Sequence, residues 1–324
     1  MSSFWRRLPR PITALAPMED ITDTVFRRIV ARCGAPSVFF TEFTSTDGLC
    51  SPGHEAVAHR LLYTAEERPI VAQIWGTKPE LHYRAAREIA GMGFDGIDIN
   101  MGCPVKKIVK GGACAALIDN PSLAAELIRA TREGAGDLPV SVKTRCGVRR
   151  WRTEDWAAFL LEQRPEVLIV HGRIAKDESK LPARWDEVAK VVRLRDQAGS
   201  DVLVVGNGDV RSLAEIEEKA LLYGVDGVMV GRGIFETPFL FRDRVPRLWL
   251  PEERLALLLQ HLALYRQTWG EHHYSRLKKF YKMYVAGFAG AAHLRVEIME
   301  TESVPEAEAL VRRWLEPGAV VPAP

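Results

Sequence analysis

Apolar residues fall along this chain in short, near-continuous runs, each followed by turn residues and then by a helical pattern. The runs are Ile12–Ala16, Ser37–Phe40, Ile70–Ile74, Gly96–Ile99, Val140–Val142, Val167–Val170, Val202–Val205 and Gly227–Val230. Unbroken Val/Ile/Leu runs, rather than alternating ones, suit parallel strands buried on both faces. Between them, apolar positions recur at helical spacing over Thr22–Ala31, Pro79–Met92, Pro121–Arg132, Thr153–Gln163, Trp185–Arg195 and Ser212–Tyr223. Pro79 and Pro121 suit first helical turns, with Thr77 or Asn120 upstream as caps. Ser212 and Glu215 have capping-box spacing. Strands alternating with helices in this number predict an α/β fold, a (β/α)8 TIM barrel, in preference to an open doubly wound sheet. After Pro251 the pattern changes. Glu252–Trp269, Ser275–Phe288 and Glu306–Leu315 are helical by period, no strand run follows, and Glu316–Pro324 reads as a frayed tail. The expected division is a barrel, residues 1–245, followed by a small C-terminal helical domain, residues 246–324.

In such a barrel the chemistry lies where strands end. Those ends carry Ala16-Pro17-Met18, Gln73, Asn100-Met101-Gly102-Cys103-Pro104, Lys143-Thr144-Arg145, His171-Gly172-Arg173, Gly206-Asn207-Gly208-Asp209 and Gly231-Arg232-Gly233. Together they describe a polar, cationic mouth. The last two turns have the composition of a phosphate site, because glycines admit backbone N–H groups and Arg232 offers a forked donor. The same glycines also suit tight turns that bind nothing. Lys143 is placed to stabilise negative charge on a ring, or else is a solvated rim lysine. His171 is a donor or a satisfied buried histidine. Gln73 both donates and accepts, as an amide-like ring requires, or bonds to local backbone. Cys103, just past a strand, is the sharpest candidate. At an ordinary pKa of about 8.5 it is mostly thiol and serves as an acid, and a helix N-terminus or Lys106 would push it toward a nucleophile. Cys33, Cys50, Cys114 and Cys146 read as small apolar fillers or idle loop residues.

Composition adds limits. The 324 residues are 47% hydrophobic and 27% charged, which excludes a disordered, collagen-like or coiled-coil chain. Five cysteines, with no C-x-x-C pair, speak against a disulfide framework and against structural zinc, so no metal site is expected. The N-terminus lacks a signal-like apolar core and no stretch reaches membrane-spanning length, so a cytoplasmic protein with no membrane contact is expected. The net charge of +2 hides clustering. Lys106, Lys107 and Lys110 follow Cys103, and Arg145, Arg149, Arg150 and Arg152 follow strand 5. From Arg254 to Arg295 there are seven basic residues and one acid, Glu271. Solvated helix faces explain most charge runs, but clusters beside one mouth point to a polyanion partner.

At this point the strand-end motifs, in this order, resemble those of the tRNA-dihydrouridine synthases. The likeness rests on Asn100-Met101-Gly102-Cys103-Pro104 with Gly111-Gly112-Ala113 behind it, His171-Gly172-Arg173 and Gly231-Arg232-Gly233, and it continues weakly into Arg276-Leu277-Lys278-Lys279. The resemblance implies an FMN-binding barrel and a helical RNA-binding domain. It implies that Pro17, Met18, Gln73, Lys143, His171, Asn207, Gly208, Asp209, Gly231 and Arg232 hold FMN. Cys103 would be the proton donor, and Asn100 and Arg145 would face the target uridine. NADPH or NADH would be the reductant and tRNA the partner, for a monomeric enzyme. Three departures concern the target nucleotide: Ile174 after His-Gly-Arg in place of Thr, the loop Lys176–Leu181, and Phe280 with Met283 in the helical domain. Competing readings are ribosomal RNA as substrate, an FMN barrel reducing a small molecule, an RNA-binding factor without turnover, and a flavin-free aldolase-type barrel.

Overall fold

The computed structural model describes residues 3–242 and 249–316. The tail reading beyond Glu316 and the expected domain boundary at 245/246 fall outside the described residues. Eight strands form one parallel sheet: β1 (Ile12–Leu15), β2 (Phe39–Ser45), β3 (Ile70–Trp75), β4 (Gly96–Met101), β5 (Val140–Arg145), β6 (Val167–His171), β7 (Leu203–Asn207) and β8 (Gly227–Val230). The order β1-β8-β7-β6-β5-β4-β3-β2 curls the sheet round. Its two ends meet at one parallel bridge, Ala14 to Val38, just ahead of β2. The architecture is thus a barrel-like curled parallel sheet with C-terminal helices.

Side chains alternate between two apolar clusters, as the period of two requires. Ile12, Ala14, Phe40, Val71, Ile169, Val205 and Met229 share one cluster with Trp5. Leu15, Ala72, Ile99, Val142, Val170, Val204 and Val228 join the outer cluster against the helices. Trp5 lies on the short helix Phe4–Arg7. The same helix pairs Arg6 with Glu166, one residue ahead of β6, at 2.9 Å. It covers the N-terminal ends of the strands and leaves the C-terminal ends open.

Five of the strand runs extend one to three residues past their expected ends, so Met101, Lys143, Arg145, His171 and Asn207 belong to strands rather than loops. β2 lies later in the chain than Ser37–Phe40. Its polar residues Thr41, Glu42 and Thr44 are buried, and its pairing with β3 slips between Phe40 and Phe43. The helices Thr24–Gly34, Pro79–Gly91, Pro121–Ala135, Thr153–Glu162, Trp185–Gln197 and Leu213–Tyr223 match the expected ones within three residues. Asn120 caps as expected, accepting from Leu123 N–H. Thr77 does not cap, because the preceding position of the helix Pro79–Gly91 is Lys78. Ser212 accepts from Glu215 N–H, but the Glu215 carboxylate takes Arg211 N–H, one residue short of a reciprocal box.

The C-terminal region departs most from expectation. Pro251–Trp269 is one helix, but Ser275–Phe288 is not. It is a 3-10 turn, Tyr274–Lys279, and a single α turn, Tyr281–Tyr284. Tyr274 and Tyr281 join their hydroxyls at 2.6 Å, and Arg295 takes the Val285 carbonyl at 2.7 Å, which stops the helix there. A further helix, Ala291–Glu300, was not foreseen, and Val304–Leu315 follows it. Leu258, Leu262, Leu277 and Tyr284 lie in the same outer apolar cluster as Phe26 and Ile29 of the helix Thr24–Gly34.

Candidate active site

One cleft of about 450 Å³ opens at the C-terminal ends of the strands, within the range of small-molecule sites. Ala16, Pro17 and Met18 after β1 form part of its wall, facing Cys103, Lys143, His171, Asn207 and the Gly231-Arg232-Gly233 turn. Of the residues marked for function in the sequence, all line this cleft except Gln73. Five cations line it (Lys143, Arg145, Arg173, Arg211 and Arg232) against two carboxylates, Asp209 and Glu236.

Gln73 lies beneath the cleft and is fully buried. Its Nε2 donates to Asp98 Oδ2 at 2.7 Å, and its Oε1 accepts from Asn100 Nδ2 at 3.0 Å. Ser141 Oγ donates to the other Asp98 oxygen at 2.6 Å. Burial raises the Asp98 carboxyl to about 6, against the lowering effect of Ser141 and Gln73. The Asn100 Oδ1 in turn accepts from Gly102 N–H at 3.0 Å and Cys103 N–H at 2.9 Å. A chain of side chains from three strands therefore folds the backbone that carries Cys103.

Cys103 has a pKa lowered to about 7. The largest cause is a hydrogen bond from the Cys114 thiol; burial opposes it, while Val105 N–H, Arg145 and Lys143 favour the thiolate. Lys106 is not among the causes. Cys114, expected as a small apolar filler or an idle loop residue, is wholly buried as a filler would be, and its thiol is also coupled to Cys103.

Arg145 ties loops together. It donates to Gly102 O at 2.9 Å, to Ile174 O at 3.2 Å and to Glu178 O at 2.7 Å. The Cys103 loop and the Lys176–Leu181 loop are thus stapled to one guanidinium. Arg173 was missed as a site residue. It donates to His171 Nε2 at 2.8 Å and to both Asp209 oxygens at 2.6 and 2.5 Å. A guanidinium only donates, so Nε2 is an acceptor and the His171 proton sits on Nδ1. His171 is held well below the usual histidine range by burial and by Arg145, Lys143, Arg173 and Arg232, and it is neutral. The signal for Arg173 was present, as the third residue of His171-Gly172-Arg173 at a strand end. Asp98, Ser141 and Cys114 left no local signal, because their partners are distant in sequence.

Lys143 donates to Asn207 Oδ1 at 3.2 Å. Its pKa falls to about 8, first through burial and then through Arg145. The glycines of the last two turns divide by role. Gly208 has φ +134°, and a Cβ there would lie 2.5 Å from Ala183 Cβ. A Cβ on Gly233 would collide with the Val210 carbonyl. Gly231 is different: its nearest neighbours would be Ala16 Cβ and Met18 Sδ, both at 3.8 Å, so its face toward the cleft is open.

Fold and site together define an α/β barrel-like protein with an anion-attracting cleft and an acidic thiol in its wall. The family model for dihydrouridine synthases matches residues 14–316. The chain belongs to the dihydrouridine synthase family, and with that membership it is an FMN-dependent oxidoreductase. A probable tRNA-dihydrouridine synthase of Staphylococcus aureus (strain COL) is 44% identical over 315 residues, 95% of this chain and 94% of its own. Probable tRNA-dihydrouridine synthase 2 of Bacillus subtilis (strain 168) is 45% identical over 324 residues, 97% of this chain and 98% of its own. Among solved structures, a 2-naphthoyl-CoA reductase is similar with TM-score 0.55 at 12% identity, over 71% of this chain and 49% of its own. Morphinone reductase in complex with tetrahydroNAD is similar with TM-score 0.51 at 13% identity, over 72% of this chain and 85% of its own. At such identities the likeness concerns the fold alone.

The donor set fits FMN. The cation excess suits a phosphate and a ring that becomes anionic, the open face of Gly231 lets backbone approach a ligand, and Arg232, exposed at the rim, offers a fork to phosphate oxygens. No helix among the described residues is long and apolar enough to cross a membrane.

Proposed function

We propose that this chain is a tRNA-dihydrouridine synthase that reduces the C5–C6 bond of uridine in tRNA, working in the cytoplasm as a monomer. Its barrel is read as a full (β/α)8 unit, residues 1–245, and residues 246–324 as the part that grips RNA. The observation that carries the reading is one cleft in which the acidic Cys103 thiol shares its walls with Lys143, His171 and Arg232.

The residues placed to hold FMN are Pro17, Met18, Lys143, His171, Asn207, Gly208, Asp209, Gly231 and Arg232, with Gln73 beneath them. When bound, FMN supplies hydride for uracil C6, with NADPH or NADH as the source of electrons. The uridine must leave its stack to enter the cleft. Cys103 gives its proton from Sγ to C5 as a general acid. The thiolate left behind is held by the Cys114 thiol, the Val105 N–H, and the charges of Arg145 and Lys143. Lys143 stabilises negative charge in the cleft floor. Asn100 orients the Cys103 backbone, and Asn100 with Arg145 faces the uracil edge. Asp209 fixes Arg173, which holds His171 in one tautomer.

The test is Cys103→Ala. Dihydrouridine formation in tRNA, read by mass spectrometry, should fall by about 10²–10⁴-fold while FMN stays bound. Wild-type rates in the variant would overturn the role of Cys103. Mapping dihydrouridine in tRNA and ribosomal RNA from a deletion strain then identifies the substrate and the position.

A further inference from the structure

Cys103 and Cys114 stand out among the five cysteines because they are paired without being bonded. All five are free. Burial pushes Cys33 and Cys146 up to about 12, and half-buried Cys50 is raised as well, so these three are poor nucleophiles. Cys103 alone lines the cleft, where small solutes reach it. Cys114 is fully buried and shielded from solvent. Ala115 N–H bonds to Cys103 O at 3.4 Å, so the segment that carries Cys114 is already closed on the one that carries Cys103, and the two thiols are coupled. A disulfide needs the sulfurs at about 2.0 Å, nearer than hydrogen-bonding distance, so bond formation draws two adjacent loop side chains together.

We propose that Cys103 and Cys114 form a hydroperoxide-sensitive dithiol, in which Cys103 is the attacking sulfur and Cys114 the resolving one. The Cys103 thiolate attacks one oxygen of a hydroperoxide; an S–O bond forms, the O–O bond breaks, and the alcohol (or water, from hydrogen peroxide) leaves with a solvent proton. Cys114 sulfur then attacks Cys103 sulfur. The S–S bond forms, the S–O bond breaks, and hydroxide leaves with the Cys114 proton as water. Two thiols lose two electrons in all, and the peroxide gains them. The resolving step keeps Cys103 from higher oxidation states that thiols do not reverse. On the reading of Cys103 as the proton donor, the disulfide silences the enzyme and reduction restores it.

The experiment treats the FMN-loaded full chain with a small excess of hydrogen peroxide, caps free thiols, digests without reductant and reads the peptides by mass spectrometry. The expected result is a Cys103–Cys114 linked peptide, two hydrogens lighter than the two thiols, that dithiothreitol reverses. In Cys114→Ser, Cys103 should advance to sulfinic acid and stay oxidised under dithiothreitol. Oxidation of Cys103 in the wild-type chain while Cys114 remains cappable would overturn the pair, and this readout needs no variant to fold. Dihydrouridine formation, followed in parallel, separates the two ideas. Linked peptide with undiminished activity upholds the pair and overturns Cys103 as acid; lost activity without the linked peptide overturns the pair and leaves the acid role standing.

Discussion

The residues that line or support the cleft divide into those whose place is visible locally and those whose place is set by a partner across the sheet. Cys103, Lys143, His171 and Arg232 were legible because each is a reactive side chain at a strand end, and strand ends converge by construction. Gln73 carries the same kind of signal, but its amide is consumed between Asp98 and Asn100, a pairing that only strand register creates. Cys114 was illegible for the same reason: eleven residues separate it from Cys103, and the chain must fold back before the thiols meet. Lys143 yields a test at this scale. Its pKa in the ligand-free cleft is about 8, below the ordinary lysine value because burial and Arg145 oppose its charge. An anion in the cleft favours the charged form, so binding above that pH requires proton uptake. FMN affinity should therefore be flat from pH 7 to about 8 and weaken above it, approaching tenfold per pH unit. Flavin fluorescence quenching on titrating apoprotein measures it. Lys143→Met should bind more weakly and lose the pH dependence; a wild-type profile that stays flat to pH 9.5 would exclude Lys143 as a ligand to the anion.

At the scale of elements, most helices and strands were legible because period and caps agreed. The failures have physical causes. β2 was misplaced because Thr41, Glu42 and Thr44 are polar yet buried, which a hydrophobicity pattern reads as loop. The connection from β2 to β3 holds no long helix, only short turns, and what secures it is a buried ion pair. Arg27, on the helix Thr24–Gly34, donates to Glu67 at 2.6 Å, with both side chains wholly buried. Its other nitrogens reach Thr22 O at 2.5 Å and Leu62 O at 2.6 Å. Glu67 also accepts from Thr24 Oγ1 at 2.7 Å and Thr64 N–H at 2.7 Å. Every charge is thus satisfied, and removing one partner strands the other in an apolar interior. Arg27→Met should destabilise the fold by about 3–5 kcal/mol, read from urea unfolding. The double change Arg27→Met with Glu67→Leu should recover much of that loss, because no unpaired charge remains. A single-variant cost below about 1 kcal/mol would show the pair to be solvated or dispensable.

For the whole molecule, the small net charge conceals a division between cations bonded within the fold and cations left exposed. The stretch Arg254–Arg295 has the strongest basic run, yet most of it is spent internally. Arg254 bonds to Met283 O, Arg266 to Glu308, Lys278 to Met299 O and Arg295 to Val285 O. Arg276 and Lys279 both pair with Asp20, in the loop after β1, each at 3.4 Å. With the Trp269 Nε1 bond to Asp23 at 2.9 Å, those pairs fasten the C-terminal helices to the barrel beside the cleft wall. The exposed cations Lys106, Lys107 and Lys110, by contrast, stand on the short helix that follows Cys103, and Arg149 and Arg150 in the segment that follows β5. A polyanion approaching the cleft meets these first, and each phosphate they neutralise releases counterions. For tRNA binding, the slope of log affinity against log salt should therefore flatten by about 0.7–0.9 for each of Lys106→Ala and Arg150→Ala, since each removes about one phosphate contact. Lys278→Ala should leave the slope unchanged, because its ammonium is already held by a carbonyl. Filter binding across a salt series distinguishes the two sets. A flattened slope for Lys278→Ala, with none for the loop variants, would place the phosphate contacts on the helical part alone and make the cleft loops bystanders.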